Sequence, residues 1–195
     1  MPRTQTNLNA FERLIQDTFQ SYREAGIAIM ATLPVPMRPS GARNPQGAPY
    51  WLPAGNSPFD VYGWVMHSGV FIGAELKSTH RRTSLAIRPP GKKGSGVYWH
   101  QLDALKNLAS CGGWARLLWC NDGEIRVMTN EGIVNAWMSA STAIVHIKND
   151  RKPEKGLLSI RWQDFEPGNR AELRDQGGGT VHVLQNWLDP DLSAV

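Results

Sequence analysis

Between Val70 and Lys77 apolar and other residues alternate with a period of two, and that period admits a strand and excludes a helix. Val70, Ile72, Ala74 and Leu76 fall on one side and are expected to face a core. Phe71, Gly73, Glu75 and Lys77 fall on the other, which carries an acid and a lysine outward together, about 7 Å apart at the strand repeat. A second acid, Asp60, lies fifteen residues upstream, at the head of the run Val61-Tyr62-Gly63-Trp64-Val65. Residues 59–66 and 69–78 are therefore expected to pair as antiparallel strands through a turn at His67-Ser68-Gly69.

The other elements follow from periodicity and punctuation. Leu8, Phe11, Leu14, Ile15, Phe19 and Tyr22 recur at helical steps, so 8–25 is expected to form an amphipathic helix capped by Asn7 and stopped by Gly26. Ile27–Leu33 is a short strand. Prolines at 34, 36, 39, 45, 49, 53 and 58 make residues 34–58 a long irregular excursion, with Tyr50 and Trp51 inside it. Residues 79–97 are expected to be irregular and basic. Residues 99–110 form a helix with Leu102, Leu105 and Leu108 on one side, ended by Gly112-Gly113. Trp114–Trp119 and Glu124–Met128 form a hairpin around Asn121-Asp122-Gly123. A short helix at 131–140, a strand at 142–147 and a strand at 157–162 complete the pass. The alternation of strands with helices indicates one α/β domain.

Bulk properties bound the function. With 195 residues, 41% hydrophobic and 19% charged, the chain can bury a core and is not a disordered polyelectrolyte. A net charge of +4 leans towards a polyanionic partner. Cys111 and Cys120 make neither a disulfide framework nor a zinc pattern, and both are expected to be buried small apolar residues. The N-terminus carries no apolar signal region, and no run approaches the roughly 18 apolar residues of a membrane span. A cytoplasmic location is expected, in a bacterial cell or a phage-infected host.

The acids and the lysine suit one chemistry. Hydrolysis of a phosphodiester needs an activated water and stabilisation of developing negative charge. Mg²⁺ takes oxygen ligands and keeps several waters, so one or two carboxylates suffice to hold it. Asp60 and Glu75 could supply those carboxylates, and the backbone carbonyl of Leu76 a third oxygen. Lys77 could orient or deprotonate the water, or neutralise the phosphate. From Lys77 to Lys93 the cations Arg81, Arg82, Arg88, Lys92 and Lys93 follow, and no acid intervenes before Asp103; phosphate contacts are expected of them. Trp51 and Trp99 are the tryptophans to test for stacking on DNA.

The order helix, strand, acid, strand with Glu75-Leu76-Lys77, helix and strand resembles the PD-(D/E)XK nuclease superfamily, with the proline of that name offset to Ser57-Pro58-Phe59-Asp60. Within it, Glu75-Leu76-Lys77-Ser78-Thr79, then Trp99-His100-Gln101-Leu102, then Gly112-Gly113 and an apolar strand, is most similar to RecU-type Holliday junction resolvases, over about residues 8–128. The resemblance implies a restriction-endonuclease-like mixed sheet flanked by helices, spanning 1–165, with 34–58 as a stalk-like insertion and 166–195 as a peripheral tail. It implies Asp60 and Glu75 as metal-binding acids, Lys77 as the catalytic lysine, Glu12 as a further acid from the first helix and Gln101 as the glutamine that opens the next helix. It implies Mg²⁺, replaceable by Mn²⁺, and a homodimer acting on four-way DNA junctions.

Two rival readings stand beside it. One is a restriction-like or repair nuclease acting on linear duplex; the other is a DNA-binding module that keeps the fold without cutting. His100 is expected to orient neighbours rather than bind metal, and Asp103 to be a first-turn helix charge.

Overall fold

A computed structural model describes residues 10–33, 37–43, 45–47, 49–53, 57–167, 169–174 and 180–185. Asn7 and Leu8, named above as cap and first apolar residue of the opening helix, lie outside the described residues, as do 175–179 and 186–195 of the tail.

The described residues begin with α1 (Ala10–Glu24). It ends in a Schellman turn: Gly26 N–H donates to Arg23 O at 3.2 Å, Ile27 N–H to Tyr22 O at 2.9 Å, and Gly26 takes φ 69°. β1 (Ala28–Thr32) follows, then β2 (Met37–Arg43) and β3 (Pro49–Pro53), β4 (Val61–Val65) and β5 (Phe71–Thr79). β6 (Ser84–Arg88) and β7 (Val97–Tyr98) precede α2 (Trp99–Ser110), β8 (Trp114–Asn121), β9 (Glu124–Met128) and α3 (Asn130–Lys148). β10 (Ser159–Arg161), a 3-10 turn at Trp162–Asp164, β11 (Glu166–Pro167), β12 (Asn169–Arg174) and β13 (Thr180–Gln185) close the described chain.

Six strands form a mixed central sheet in the order β1-β4-β5-β8-β9-β11. β5 and β8 run parallel, and the other neighbours are antiparallel. A parallel pair needs a long crossover, and here it contains β6, β7 and α2. Phe11, Leu14, Ile15 and Phe19 of α1 cover one face of the sheet, against Ile72, Ala74, Leu118 and Cys120. Leu102 and Leu105 of α2 and Ile133 and Ala140 of α3 cover the other, against Ala115, Leu117 and Trp119. Each fully buried leucine or isoleucine contributes about 1.5–3 kcal/mol. The mixed sheet between helices is the α/β architecture expected from the sequence.

Four local expectations need correction. Residues 34–58 are not wholly irregular: β2 and β3 pair antiparallel, with the register shifting between Pro39 and Arg43. An isolated two-stranded ribbon tolerates proline because each strand has an outer edge that needs no donor. Residues 79–97 contain β6, which pairs with β7 and β10 in a small second sheet. Residues 131–147 form one helix rather than a helix and a strand. Thr142, Val145 and Ile147 suggest a strand locally, yet Ile133, Ala140, Ala143 and Ile144 are buried at helical spacing, and that packing decides. Cys111 is exposed beyond the end of α2, while Cys120 is buried, and both are free.

Candidate active site

Glu75 is the residue whose environment the sequence misjudges most. Period-two alternation puts it on the second face of β5, expected to be open, but α2 lies over that face and the side chain is buried. Its register partner Leu117 belongs to the same covered face. The β4–β5 ladder ends where Val61 pairs with Ala74, and Asp60, one residue before it, comes close enough for its carboxyl to act on that of Glu75. Asp60 is held there from three directions. Its Oδ2 accepts the Leu76 N–H at 2.9 Å, its N–H donates to Ala74 O at 3.0 Å, and its carbonyl accepts the Leu33 N–H at 2.8 Å.

Two side chains converge on one oxygen of Glu75. Lys77 Nζ donates to Oε1, and Gln101 Nε2 donates to the same atom at 2.5 Å. Gln101 Oε1 accepts the Tyr98 N–H at 3.0 Å, a capping contact at the start of α2 that fixes which end of the amide faces Glu75. Glu75 Oε2 is buried with no hydrogen-bond partner. Burial pushes the Glu75 carboxyl up to about 8; Lys77 pulls it down, and Asp60 adds to the rise. Next to Gln101, His100 stacks on Tyr98 with ring centroids 5.7 Å apart. Burial, and then the charge of Lys77, hold its imidazole below the usual range. Sequence reading set His100 aside as a ligand; the structure places it beside Lys77.

A buried carboxylate oxygen without a donor is costly unless something else binds it. Oε2 of Glu75 together with the neighbouring Asp60 carboxyl offers an all-oxygen set that fits a hard divalent cation of the Mg²⁺ kind. Among the described residues, no three His, Cys, Asp or Glu side chains come together to hold a metal, so the set is limited to a carboxylate pair. Glu12 does not join it: it is half-buried in the first turn of α1, and α1 covers the opposite face of the sheet.

The basic residues divide. Arg81 and Arg82 are exposed in the turn after β5. Arg88, on β6, donates to Ser95 O at 2.9 Å, which ties the strand to the loop bearing the exposed Lys92 and Lys93. Trp99 stacks on Trp137 with centroids 5.8 Å apart and is committed to the α2–α3 seam; Asp103 accepts the Trp137 indole N–H at 2.8 Å. The side chain of Trp51 lies outside the described residues. Sequence reading missed Asn121 and Asp122, which bind the 80–82 turn, and Thr79, which donates to Asn121; the Asp-Gly turn signal marked the β8–β9 hairpin but not what its tip touches.

No protein-family model and no curated protein matches the chain. Among solved structures it is similar to Hjc, a Holliday junction resolvase from the archaeal hyperthermophile Archaeoglobus fulgidus. The TM-score is 0.34 and the identity 15%, over 62% of this chain and 78% of that one.

Proposed function

We propose that this chain is a Mg²⁺-dependent DNA endonuclease that cuts four-way junctions as a homodimer. The observation that carries the nuclease reading is Glu75: a buried carboxylate with one oxygen bonded by Lys77 and Gln101 and the other without a donor, beside Asp60. Asp60, Glu75 and the carbonyl of Leu76 would hold the cation. Bound there, it would supply Lewis acidity to a phosphoryl oxygen and a more acidic water.

The protein's own groups account for the rest. Gln101 holds Glu75 Oε1 so that Oε2 stays available. The Leu76 N–H orients Asp60 towards the same place. Lys77, only partly exposed, keeps its ammonium beside the acids, where it orients the attacking water and offsets charge on the phosphate. His100 stands next to it as a neutral ring. Arg81, Arg82, Arg88, Lys92 and Lys93 contact phosphates of the substrate.

The junction preference draws on the resemblance in sequence and on where the insertion leaves the sheet. In sequence the β2–β3 ribbon falls between Leu33 and Asp60, and the Leu33 N–H donates to Asp60 O. β1 and β4 expose Ile29 and Trp64, Met66 follows them, and neither strand contains a charged residue, a surface that suits a second copy. Paired cuts across a four-way junction require two sites.

The test is cleavage of a synthetic four-way junction and of a linear duplex of the same sequence, each with and without Mg²⁺. Paired, Mg²⁺-dependent nicks in the junction alone are expected. Equal cutting of both substrates would move the reading to a duplex nuclease. Salt-sensitive binding without any metal-dependent product would reduce the protein to a DNA-binding module.

A further inference from the structure

The turn after β5 is held more firmly than an exposed basic turn requires. Thr79 donates its hydroxyl to Asn121 Oδ1 at 2.9 Å and accepts the indole N–H of buried Trp119 at 2.6 Å. Asn121 then brackets Arg82: its Oδ1 accepts the Arg82 N–H at 3.1 Å, and its amide donates to Arg82 O at 2.9 Å. Asp122, at the tip of the β8–β9 hairpin, accepts the Arg81 N–H at 2.9 Å with one oxygen and the His80 Nδ1 with the other. Both carboxylate oxygens of Asp122 are thus committed, one to a backbone N–H and one to an imidazole. Among the described residues neither the Arg81 nor the Arg82 guanidinium has an ion-pair partner.

The backbone adds a separate observation. Arg81 sits at φ 49°, in the left-handed region that a long side chain seldom adopts. Glycine or asparagine would sit there at lower cost, so an arginine held there by its neighbours points to a use for its side chain.

We infer that Asn121 and Asp122 are positioning residues for a preformed phosphate clamp, holding the His80–Arg82 turn so that Arg81 and Arg82 grip the sugar–phosphate backbone of a nucleic acid. The clamp rests on the nuclease reading and adds its presenting elements. Arg81 lies four residues beyond Lys77 along the chain, a span of at most about 13 Å. At 3.4 Å per nucleotide along one strand, the clamp meets the backbone within roughly four nucleotides of the attacked phosphodiester. Because the turn is pinned before DNA arrives, binding does not have to order it, and the loss of freedom is confined to the two side chains.

The experiment is fluorescence anisotropy of a labelled four-way junction and a labelled linear duplex, in EDTA, across a salt series, with thermal melting of each variant. Arg81→Ala/Arg82→Ala is expected to weaken binding roughly tenfold or more and to lower the salt slope by about one for each lost contact. Asn121→Ala is expected to weaken binding in the wild-type background and to add nothing in the double-arginine background, since it acts through those arginines. Arg81→Gly is expected to melt at or above the wild-type temperature while losing affinity, and Arg81→Lys to recover part of it. The clamp is overturned if the arginine variants leave affinity and salt slope unchanged, or if Asn121→Ala weakens binding equally in both backgrounds. Should Asn121→Ala fail to fold, Arg81→Gly decides: unchanged affinity rejects the clamp. Wild-type protein that binds neither DNA rejects the clamp and the nuclease reading together, whereas DNA binding indifferent to all these changes rejects the clamp alone.

Discussion

Gln101 donates to Glu75 across 26 residues of sequence, at 2.5 Å, and shares its acceptor oxygen with Lys77. This contact links the first turn of α2 to the middle of β5 and explains why Glu75 can be buried at all. Two donors on one oxygen offset part of the cost of removing a carboxyl from water, and the second oxygen remains for a ligand.

Replacing Gln101 with alanine removes one of those donors and the constraint on the Glu75 rotamer. Cleavage is expected to fall about 10–100-fold, the range typical of residues that orient a metal ligand. Circular dichroism should show the fold intact, and Mg²⁺ titration of activity should show a weaker apparent affinity. Unchanged Mg²⁺ dependence would count against this role.

Asp60→Asn, Glu75→Gln and Lys77→Ala should each lower cleavage by about a thousandfold. Junction binding measured by gel shift in EDTA should survive, because phosphate contacts carry most of the affinity. A triple variant that still cut junctions in Mg²⁺ would dispose of the site assignment.

The raised Glu75 carboxyl makes metal-free stability depend on pH in a definite direction. A group whose folded pKa, about 8, exceeds its ordinary 4.5 binds a proton more readily folded than unfolded. Its contribution is therefore fully present below about 4.5 and is lost as pH rises towards 8. Urea melts in EDTA should show stability falling across that window, with Glu75→Gln flattening the fall. Mg²⁺ competes with the proton, so its stabilising effect should grow with pH, and melts at pH 6 and pH 8.5 would reveal the difference.

Gly96 is expected to be intolerant of alanine. A Cβ built there would lie 2.1 Å from Ala86 O, and the residue adopts φ 128°. Relief requires moving the β6 backbone, so Gly96→Ala should cost about 2–4 kcal/mol, read as a lowered Tm. Gly123→Ala, with nothing within 4 Å of its Cβ, faces only the strain of φ 85° and should cost less.

Much of the fold is legible from local pattern because its signals are short-range. α2 spans the expected 99–110 by one-sided leucines, and the Asp122-Gly123 turn has the positive φ values, 51° and 85°, that a two-residue hairpin demands. Segments failed where packing outweighed local preference, as in α3, or where prolines lie in an isolated ribbon, as in β2 and β3.

The candidate site divides in the same way. Asp60, Glu75 and Lys77 could be named from sequence because strand alternation and a hairpin register are nearly one-dimensional properties. That Glu75 is buried, that Gln101 and Lys77 share its oxygen, that Glu12 belongs to the helix over the far face, and that Asn121 grips the arginine turn were decided by tertiary structure. Each depends on which helix covers which side of the sheet and on contacts between residues tens of positions apart. A periodic pattern records which side chains share a face, but it carries no information about what lies above that face.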